Sequence, residues 1–256
     1  MPNNLSIVLL ASLAALAAAS CAAAAPTSGT ITFRSADGIA VTADVYAPNP
    51  KEAPFIVLCH QAGWSRGEYK ELAPWLTSLG YNCMAIDQRS GGKINGVDNQ
   101  TLIEALKASK DTGYPAAEQD IVAAVEYARK KIAKGKIVLW GSSYSSSLAL
   151  VVAAKNPGLV DAVVSASPGE YFGEYGLSKN WVREHAGRLT VPVLVMGAAN
   201  ERQQEEMIFD AIADSRKELF VPPSGGRHGS SALWQRNAGH EAYREAVAAF
   251  LSRYAR

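Results

Sequence analysis

The chain has almost no net charge and few cysteines and histidines. Its 25 basic and 24 acidic residues leave a formal charge of +1, and the basic residues are scattered along the sequence. A basic patch of the kind that binds nucleic acid is therefore missing, and we expect no nucleic-acid partner. The sequence also lacks metal-ligand spacings and a G-x-G-x-x-G motif after a strand, so we expect no cofactor.

The N-terminus lacks charge altogether, since no charged residue precedes Arg34. An apolar stretch, Leu5–Ser20, is followed by small residues, which is typical of an export signal. Ala22–Ala24 offers a signal-peptidase site, whereas "AAASC" resembles a bacterial lipobox with Cys21 as the lipidated residue. We expect residues 1–25 to be a signal peptide or lipoprotein leader. The protein would then be periplasmic, secreted or tethered to a membrane through Cys21. A membrane anchor or a misassigned start is the alternative, because basic residues are missing before the apolar stretch.

The two remaining cysteines, Cys59 and Cys83, lie in apolar segments that predict strands. An exported chain could join them in a disulfide. However, Cys59 ends its segment and Cys83 does not, so in neighbouring parallel strands the two sulfurs would be out of register. We predict two free thiols.

Hydrophobic patterning indicates an α/β fold. Alternating segments around Asp37-Gly38 predict a hairpin, and later apolar runs fit strands that are buried on both faces. These runs are Phe55–His60, Tyr81–Asp87, Lys136–Gly141, Asp161–Ser167, Pro192–Ala198 and Glu218–Pro223. Helical patterns cover residues 67–80, 116–133, 146–158, 203–215 and 242–255. This order predicts a mostly parallel sheet with helices on both faces, in one domain over residues 29–256.

Ligands of such sheets bind outside the carboxyl ends of the strands, where this chain places "GSSYS". The stretch fits the pattern G-x-S-x-G around Ser143, with Gly141 in the first position and Ser145 replacing the second glycine. In that pattern the serine lies at a sharp turn from strand to helix, and its neighbours two positions away must be small. Ser143 is therefore a candidate nucleophile. The alternative is a serine that only caps a helix.

A serine hydroxyl needs a base before it can attack, and the chain has only four histidines. His228 lies on a glycine-rich loop after the last predicted strand, where packing gives no reason for a histidine. His60 ends an earlier strand, whereas His185 and His240 fall in helical patterns. We predict that His228 is the base.

The acid that orients the base should follow the seventh strand, in "GAANERQQEE". Glu201 is its first carboxylate, although Asn200 occupies the position where an aspartate is often found. Glu201 could instead be a carboxylate at a helix N-terminus. Glu170, after the sixth strand, is the alternative acid.

Acyl transfer also needs N–H donors for the developing oxyanion. We predict the backbone amides of Tyr144 and Ala62 in this role, although Ala62 could belong to an ordinary turn. Residues 168–187 form a short potential lid, which favours an open site for short acyl esters. Side chains that could line the pocket, or simply pack, are Gln61, Trp64, Tyr171, Tyr175 and Trp181.

The motifs "LCHQAG", "IDQRSGG", "VLWGSSYSSSLAL", "VPVLVMGAANE" and "RHGSSAL" occur in this order. Together they resemble the α/β-hydrolase superfamily in its compact, dienelactone-hydrolase-like or small-esterase form, from about Gly29 onward. The resemblance implies an eight-stranded sheet with the second strand antiparallel, and a serine hydrolase that acts on small-molecule carboxylic esters through an acyl-enzyme. A peptidase or thioesterase with the same triad, and a non-catalytic binding relative, are the alternatives.

Overall fold

A computed structural model describes residues 28–256, so the predicted leader and Cys21 lie outside the described residues. The described residues contain an eight-stranded sheet. Its strands are β1 (Ser28–Arg34), β2 (Ala40–Tyr46), β3 (Phe55–Cys59), β4 (Asn82–Ile86), β5 (Ile137–Ser142), β6 (Ala162–Ala166), β7 (Val193–Met196) and β8 (Lys217–Phe220).

The strands lie in the order β1-β2-β4-β3-β5-β6-β7-β8. β2 runs antiparallel to both of its neighbours, and every other neighbouring pair is parallel. The predicted fold is therefore confirmed. Strands β3 to β6 in chain order consist of buried residues alone, which explains why they read as continuous apolar runs.

Helices cover both faces of the sheet. Their bounds are α1 (Leu72–Ser78), α2 (Gln100–Lys107), α3 (Glu118–Tyr127), α4 (Tyr144–Lys155), α5 (Trp181–Ala186), α6 (Arg202–Ala211) and α7 (His240–Tyr254). α1 and α7 pack on one face, and α3 to α6 pack on the other. Within residues 28–256, none of the helices combines the length and apolar character needed to span a bilayer.

Two parts of the fold differ from the prediction. The helix predicted over 67–80 begins only at Leu72, and a 3₁₀ turn, Arg66–Tyr69, precedes it. Pro74 explains this, because a proline lacks the N–H of a helix interior and fits only in the first turn. α2 and a small hairpin (Lys93–Ile94 with Val97–Asp98) lie where no element was predicted.

The prediction of two free thiols is confirmed, since Cys59 and Cys83 are buried and unpaired. Cys59 lies opposite Ile86 in β4, whereas Cys83 lies opposite Ile56 in β3. The three-residue offset keeps the sulfurs apart, as expected from the register.

Candidate active site

Ser143 lies at the junction of β5 and α4 with an unfavourable backbone conformation. Its φ is 59° and its ψ is −126°, and its side chain makes no hydrogen bond that caps α4. A non-glycine residue in this region is strained, and such strain is concentrated at functional sites. The residue is 9% exposed and therefore nearly buried. The capping alternative is thus not what the structure shows.

The residues two positions from Ser143 explain how the turn closes. A Cβ atom on Gly141 would lie 2.2 Å from the Ser145 carbonyl oxygen, so only glycine fits there. Ser145 fills the second position with a side chain that bonds within the turn. Its hydroxyl accepts a hydrogen bond from the Ser142 amide (2.9 Å) and donates to the Cys59 carbonyl (2.8 Å). The departure from the glycine pattern is therefore compatible with the sharp turn.

Glu201 and His228 lie in contact across the carboxyl edge of the sheet. His228 Nδ1 is hydrogen-bonded to Glu201 Oε1, while Glu201 Oε2 accepts from the Ser167 hydroxyl (2.7 Å) and the Ala198 amide (2.9 Å). Burial opposes ionisation of Glu201, but the hydrogen bonds that it accepts outweigh burial and place its pKa below the usual value. Because Nδ1 faces the carboxylate, Nε2 of His228 is left to exchange a proton with a substrate.

Glu170, the alternative acid, has a different partner. Its carboxylate accepts hydrogen bonds from the Val182 amide (2.8 Å) and the Arg183 amide (3.1 Å) at the start of α5. It therefore stabilises a helix N-terminus in the lid segment. The other histidines are also engaged elsewhere: His60 is fully buried, and the Nδ1 atoms of His185 and His240 lie 2.7 and 3.0 Å from backbone carbonyls.

Ser167, at the end of β6, joins the acid to the histidine loop. Its φ of 56° is again unfavourable for a residue other than glycine. Its hydroxyl donates to Glu201 and accepts a hydrogen bond from the Gly229 amide at 2.8 Å. Sequence reasoning did not single out Ser167, although its place directly after a buried strand could have indicated it.

No hydrogen bond joins the Ser143 hydroxyl to the His228 ring in residues 28–256. The Tyr171 phenol lies near Ser143 and donates to the Ser167 carbonyl (2.9 Å). Hydrogen bonds between nucleophile and base are often long in unliganded enzymes and shorten when substrate binds.

The two predicted oxyanion donors are free in the described structure. Neither Ala62 nor Tyr144 donates its amide hydrogen to a residue of the range 28–256. The amide of Gln61, by contrast, donates to Glu68 Oε2 at 2.8 Å. Free N–H groups beside a nucleophile are what an oxyanion hole requires.

Glu68 is a buried carboxyl beneath the site that sequence reasoning missed, because it falls in the segment predicted as helix. Its Oε1 accepts a hydrogen bond from the Ser142 hydroxyl (2.7 Å), which itself accepts from the Ser230 amide (2.8 Å). Burial raises the pKa of Glu68 to about 7, against the opposing effect of its hydrogen bonds. One carboxyl thus links the loop after β3, the end of β5 and, through Ser142, the loop that carries His228.

A cavity of about 540 Å³ adjoins His228. It is lined by Gln61, Trp64, Ile94, Arg227, His228, Ser231, Trp234, Arg236 and Asn237. Of the side chains predicted to line a pocket, Gln61 and Trp64 line this cavity, whereas Tyr171 lies near Ser143. Tyr175 is 41% exposed and packs on Tyr114, with ring centroids 5.4 Å apart.

Trp181 does not line this cavity, because it is nearly buried against Phe172 in the core. A larger cavity of about 690 Å³ lies between β1, α3 and the C-terminal end of α4. It contains none of the candidate catalytic residues.

A family model of the α/β hydrolase fold matches residues 54–184. The chain belongs to the α/β hydrolase family. One relative of this α/β hydrolase is the quorum-quenching protein AidA of Acinetobacter baumannii, which is 31% identical over 142 residues. The match covers 54% of this chain and 43% of AidA, so the chain spans less than half of that relative.

Three solved structures share the fold of this α/β hydrolase. A dienelactone hydrolase of Anabaena variabilis matches with a TM-score of 0.70 at 16% identity, over 90% of this chain and 98% of that one. Esterase Pf2001 of Pyrococcus furiosus gives 0.69 at 15% identity, over 90% and 93%. Est1E of Butyrivibrio proteoclasticus gives 0.66 at 19% identity, over 88% and 98%.

Proposed function

We propose that this α/β hydrolase cleaves carboxylic esters through an acyl-enzyme formed on Ser143. The strained backbone of Ser143, which holds an uncapped hydroxyl at the end of β5, carries the proposal. His228 acts as the base and Glu201 orients it. The pairing of Glu201 with Nδ1 of His228 supports both roles.

The proposed reaction has two halves. Nε2 of His228 takes the Ser143 proton as the hydroxyl oxygen attacks the carbonyl carbon, and the free amides of Ala62 and Tyr144 stabilise the oxyanion. The imidazolium then protonates the leaving alcohol, and Glu201 stabilises its charge. In the second half, His228 activates a water that attacks the acyl-enzyme, and the acid product leaves Ser143.

The choice of esters as the substrate class is supported by the solved structures that share the fold. The dienelactone hydrolase, esterase Pf2001 and Est1E share its fold over 88–90% of this chain, with TM-scores of 0.66 to 0.70. Amides and thioesters react through the same groups, so a peptidase or thioesterase is the alternative that a substrate panel must separate.

Fluorophosphonate labelling tests the nucleophile directly. We expect the intact mass of the treated wild-type protein to increase by one adduct, and the mass of Ser143→Ala to stay unchanged. An adduct on both proteins would place the reactive group elsewhere, and a folded wild type without an adduct would favour a non-catalytic role. Aryl esters, anilides and thioesters of one short acyl chain then distinguish the reaction classes.

We also propose that the chain is exported, on the apolar sequence of its first 25 residues alone. The intact mass of the untreated protein recovered from cells distinguishes the two processing routes. Loss of the leader alone indicates signal-peptide cleavage, whereas a diacylglyceryl addition on Cys21 indicates a lipoprotein.

A further inference from the structure

The cavity beside His228 contains positive charge and no acidic side chain. Two of its nine lining residues are arginines, Arg227 and Arg236, and none is Asp or Glu. The other lining side chains are two tryptophans, one isoleucine, three neutral polar groups and His228 itself. Such a cavity concentrates positive potential at the point where the base meets the substrate.

Neither arginine forms an ion pair or a side-chain hydrogen bond within residues 28–256, and both are exposed to solvent. Residues 28–256 contain thirteen arginines, of which ten form an ion pair or a side-chain hydrogen bond. In this described part of the chain, the three without either are Arg188, Arg227 and Arg236. Two of these three line the same cavity, and their guanidinium N–H groups are free to donate to a ligand.

The wall of the cavity holds Arg236 in place. Its guanidinium lies 4.1 Å from the centroid of the Trp234 ring, and Trp234 stacks on Trp64 with centroids 5.4 Å apart. The Trp234 indole N–H donates to the Glu68 carbonyl at 3.0 Å, which fixes the ring. A guanidinium on an aromatic face keeps its N–H edge available, so Arg236 is ordered before a ligand arrives.

The carboxylates near this cavity already have partners. Glu201 accepts from His228, and Glu71 pairs with Arg244 at 2.7 Å. The Glu68 carboxyl accepts from groups beneath the site. The positive charge of the two arginines is therefore not neutralised by the protein itself.

We infer that this cavity is a subsite for a carboxylate carried by the ester substrate. A planar carboxylate matches the fork of guanidinium N–H groups and can accept two hydrogen bonds from one of them. The inference rests on the proposed ester hydrolysis, and it adds the chemical class of the substrate: esters that bear a free acid on the acyl or the alcohol side.

Two matched substrate pairs test this subsite. 4-Nitrophenyl hydrogen adipate and 4-nitrophenyl methyl adipate differ by one charge on the acyl side. 4-(Carboxymethyl)phenyl butyrate and its methyl ester differ by one charge on the alcohol side. We expect the charged member of one pair to have a kcat/KM about tenfold higher or more, as charged hydrogen bonds of this kind allow. Salt of about 0.5 M should reduce this preference.

In the double variant Arg227→Gln/Arg236→Gln, the ratio of kcat/KM for the charged substrate to that for the uncharged one should be close to one. Arg188→Gln is the matched control, since it removes an arginine that also lacks a partner but lies outside the cavity, and it should keep the wild-type preference. Fluorophosphonate labelling of each variant checks that the nucleophile is intact.

Two results would overturn the subsite while leaving ester hydrolysis in place. One is equal kcat/KM within both pairs for the wild type. The other is a charge preference that persists in the double variant. If Ser143 failed to react with fluorophosphonate in the folded wild type, the result would contradict the proposed ester hydrolysis itself.

Discussion

Among single residues, Glu201 shows how hydrogen bonds fix the orientation of a carboxylate. His228 bonds to one oxygen, while Ser167 and the Ala198 amide hold the other. The orientation of the carboxylate, rather than its exact place in the sequence, thus determines whether it can bond to Nδ1 of His228.

Glu201→Gln should lower kcat by about 100-fold or more, because an amide favours the wrong tautomer of His228 and cannot stabilise its charged form. KM for an aryl ester should change much less, since Glu201 is not among the residues that line the cavity beside His228. Steady-state kinetics on one ester substrate measure both parameters.

Glu170→Gln provides the matched control for that experiment. It removes the same charge from a carboxylate that stabilises the start of α5, so we expect kcat within about twofold of the wild type and a loss of stability below about 1 kcal/mol. If Glu170→Gln reduced kcat more than Glu201→Gln did, the assignment of the acid would be wrong.

Among the secondary-structure elements, the 3₁₀ turn Arg66–Tyr69 supports the candidate site by positioning a buried carboxyl. It places Glu68 so that one carboxyl accepts from the Gln61 amide and the Ser142 hydroxyl. The Gln61 amide is thereby engaged by Glu68, whereas the next amide, that of Ala62, donates to no residue within 28–256. The turn therefore connects the loop after β3 to β5, the strand that precedes Ser143.

Glu68→Gln should lower kcat by about tenfold or more, because an amide cannot accept from both donors and the oxyanion loop loses its fixed position. Glu68 has a pKa of about 7, so its ionised, doubly accepting form predominates above that pH. The ratio of wild-type to variant kcat/KM should therefore be largest above pH 7 and decrease below it.

Glu71→Gln is the control for the same segment, since Glu71 pairs with Arg244 and makes no hydrogen bond to Gln61 or Ser142. It should leave the pH profile unchanged. A wild-type to Glu68→Gln ratio that stays constant with pH would show that Glu68 acts only through the stability of the fold.

At the scale of the whole molecule, the sheet could be predicted because its central strands are buried on both faces. β3, β4, β5 and β6 contain buried residues alone, and burial of this kind appears in the sequence as short apolar runs. α2 could not be predicted in the same way. Its first turn depends on Asn99, which caps Leu102 and also donates to the distant Gln88 carbonyl.

Some residues of the candidate site could likewise be predicted from the sequence, and others could not. Ser143 and His228 could be predicted because their places after β5 and β8 put them on one edge of the sheet. Glu68 could not, because its importance depends on hydrogen bonds to residues 7 and 74 positions away. The cationic cavity was missed for the same reason, since Arg227 and Arg236 gain significance only from the absence of acids around them in the described fold.

A second buried carboxyl, that of Glu205 in α6, affects the stability of the whole fold. In the described residues neither of its oxygens has a hydrogen-bond partner. Burial, and next the charge of Glu201, raise the pKa of Glu205 from 4.5 to about 10. The folded protein thus keeps a proton that the unfolded chain releases above pH 4.5. A raised pKa of this kind contributes stability that is complete below the unfolded value and is lost as pH rises towards the folded value.

Glu205→Gln should remove this dependence, because a glutamine occupies a similar volume and does not ionise. Glu68 makes a similar contribution that ends near pH 7, so the range from pH 7 to 8.5 isolates Glu205. Over that range the free energy of unfolding of the wild type should fall relative to that of Glu205→Gln by about 1.4 kcal/mol per pH unit. Urea unfolding at several pH values measures the difference, with Glu206→Gln as the control, since Glu206 is an exposed partner of Arg202. Parallel pH dependences of the wild type and Glu205→Gln would mean that Glu205 is ionised in the folded protein, and that the interior near Glu201 stabilises a second negative charge.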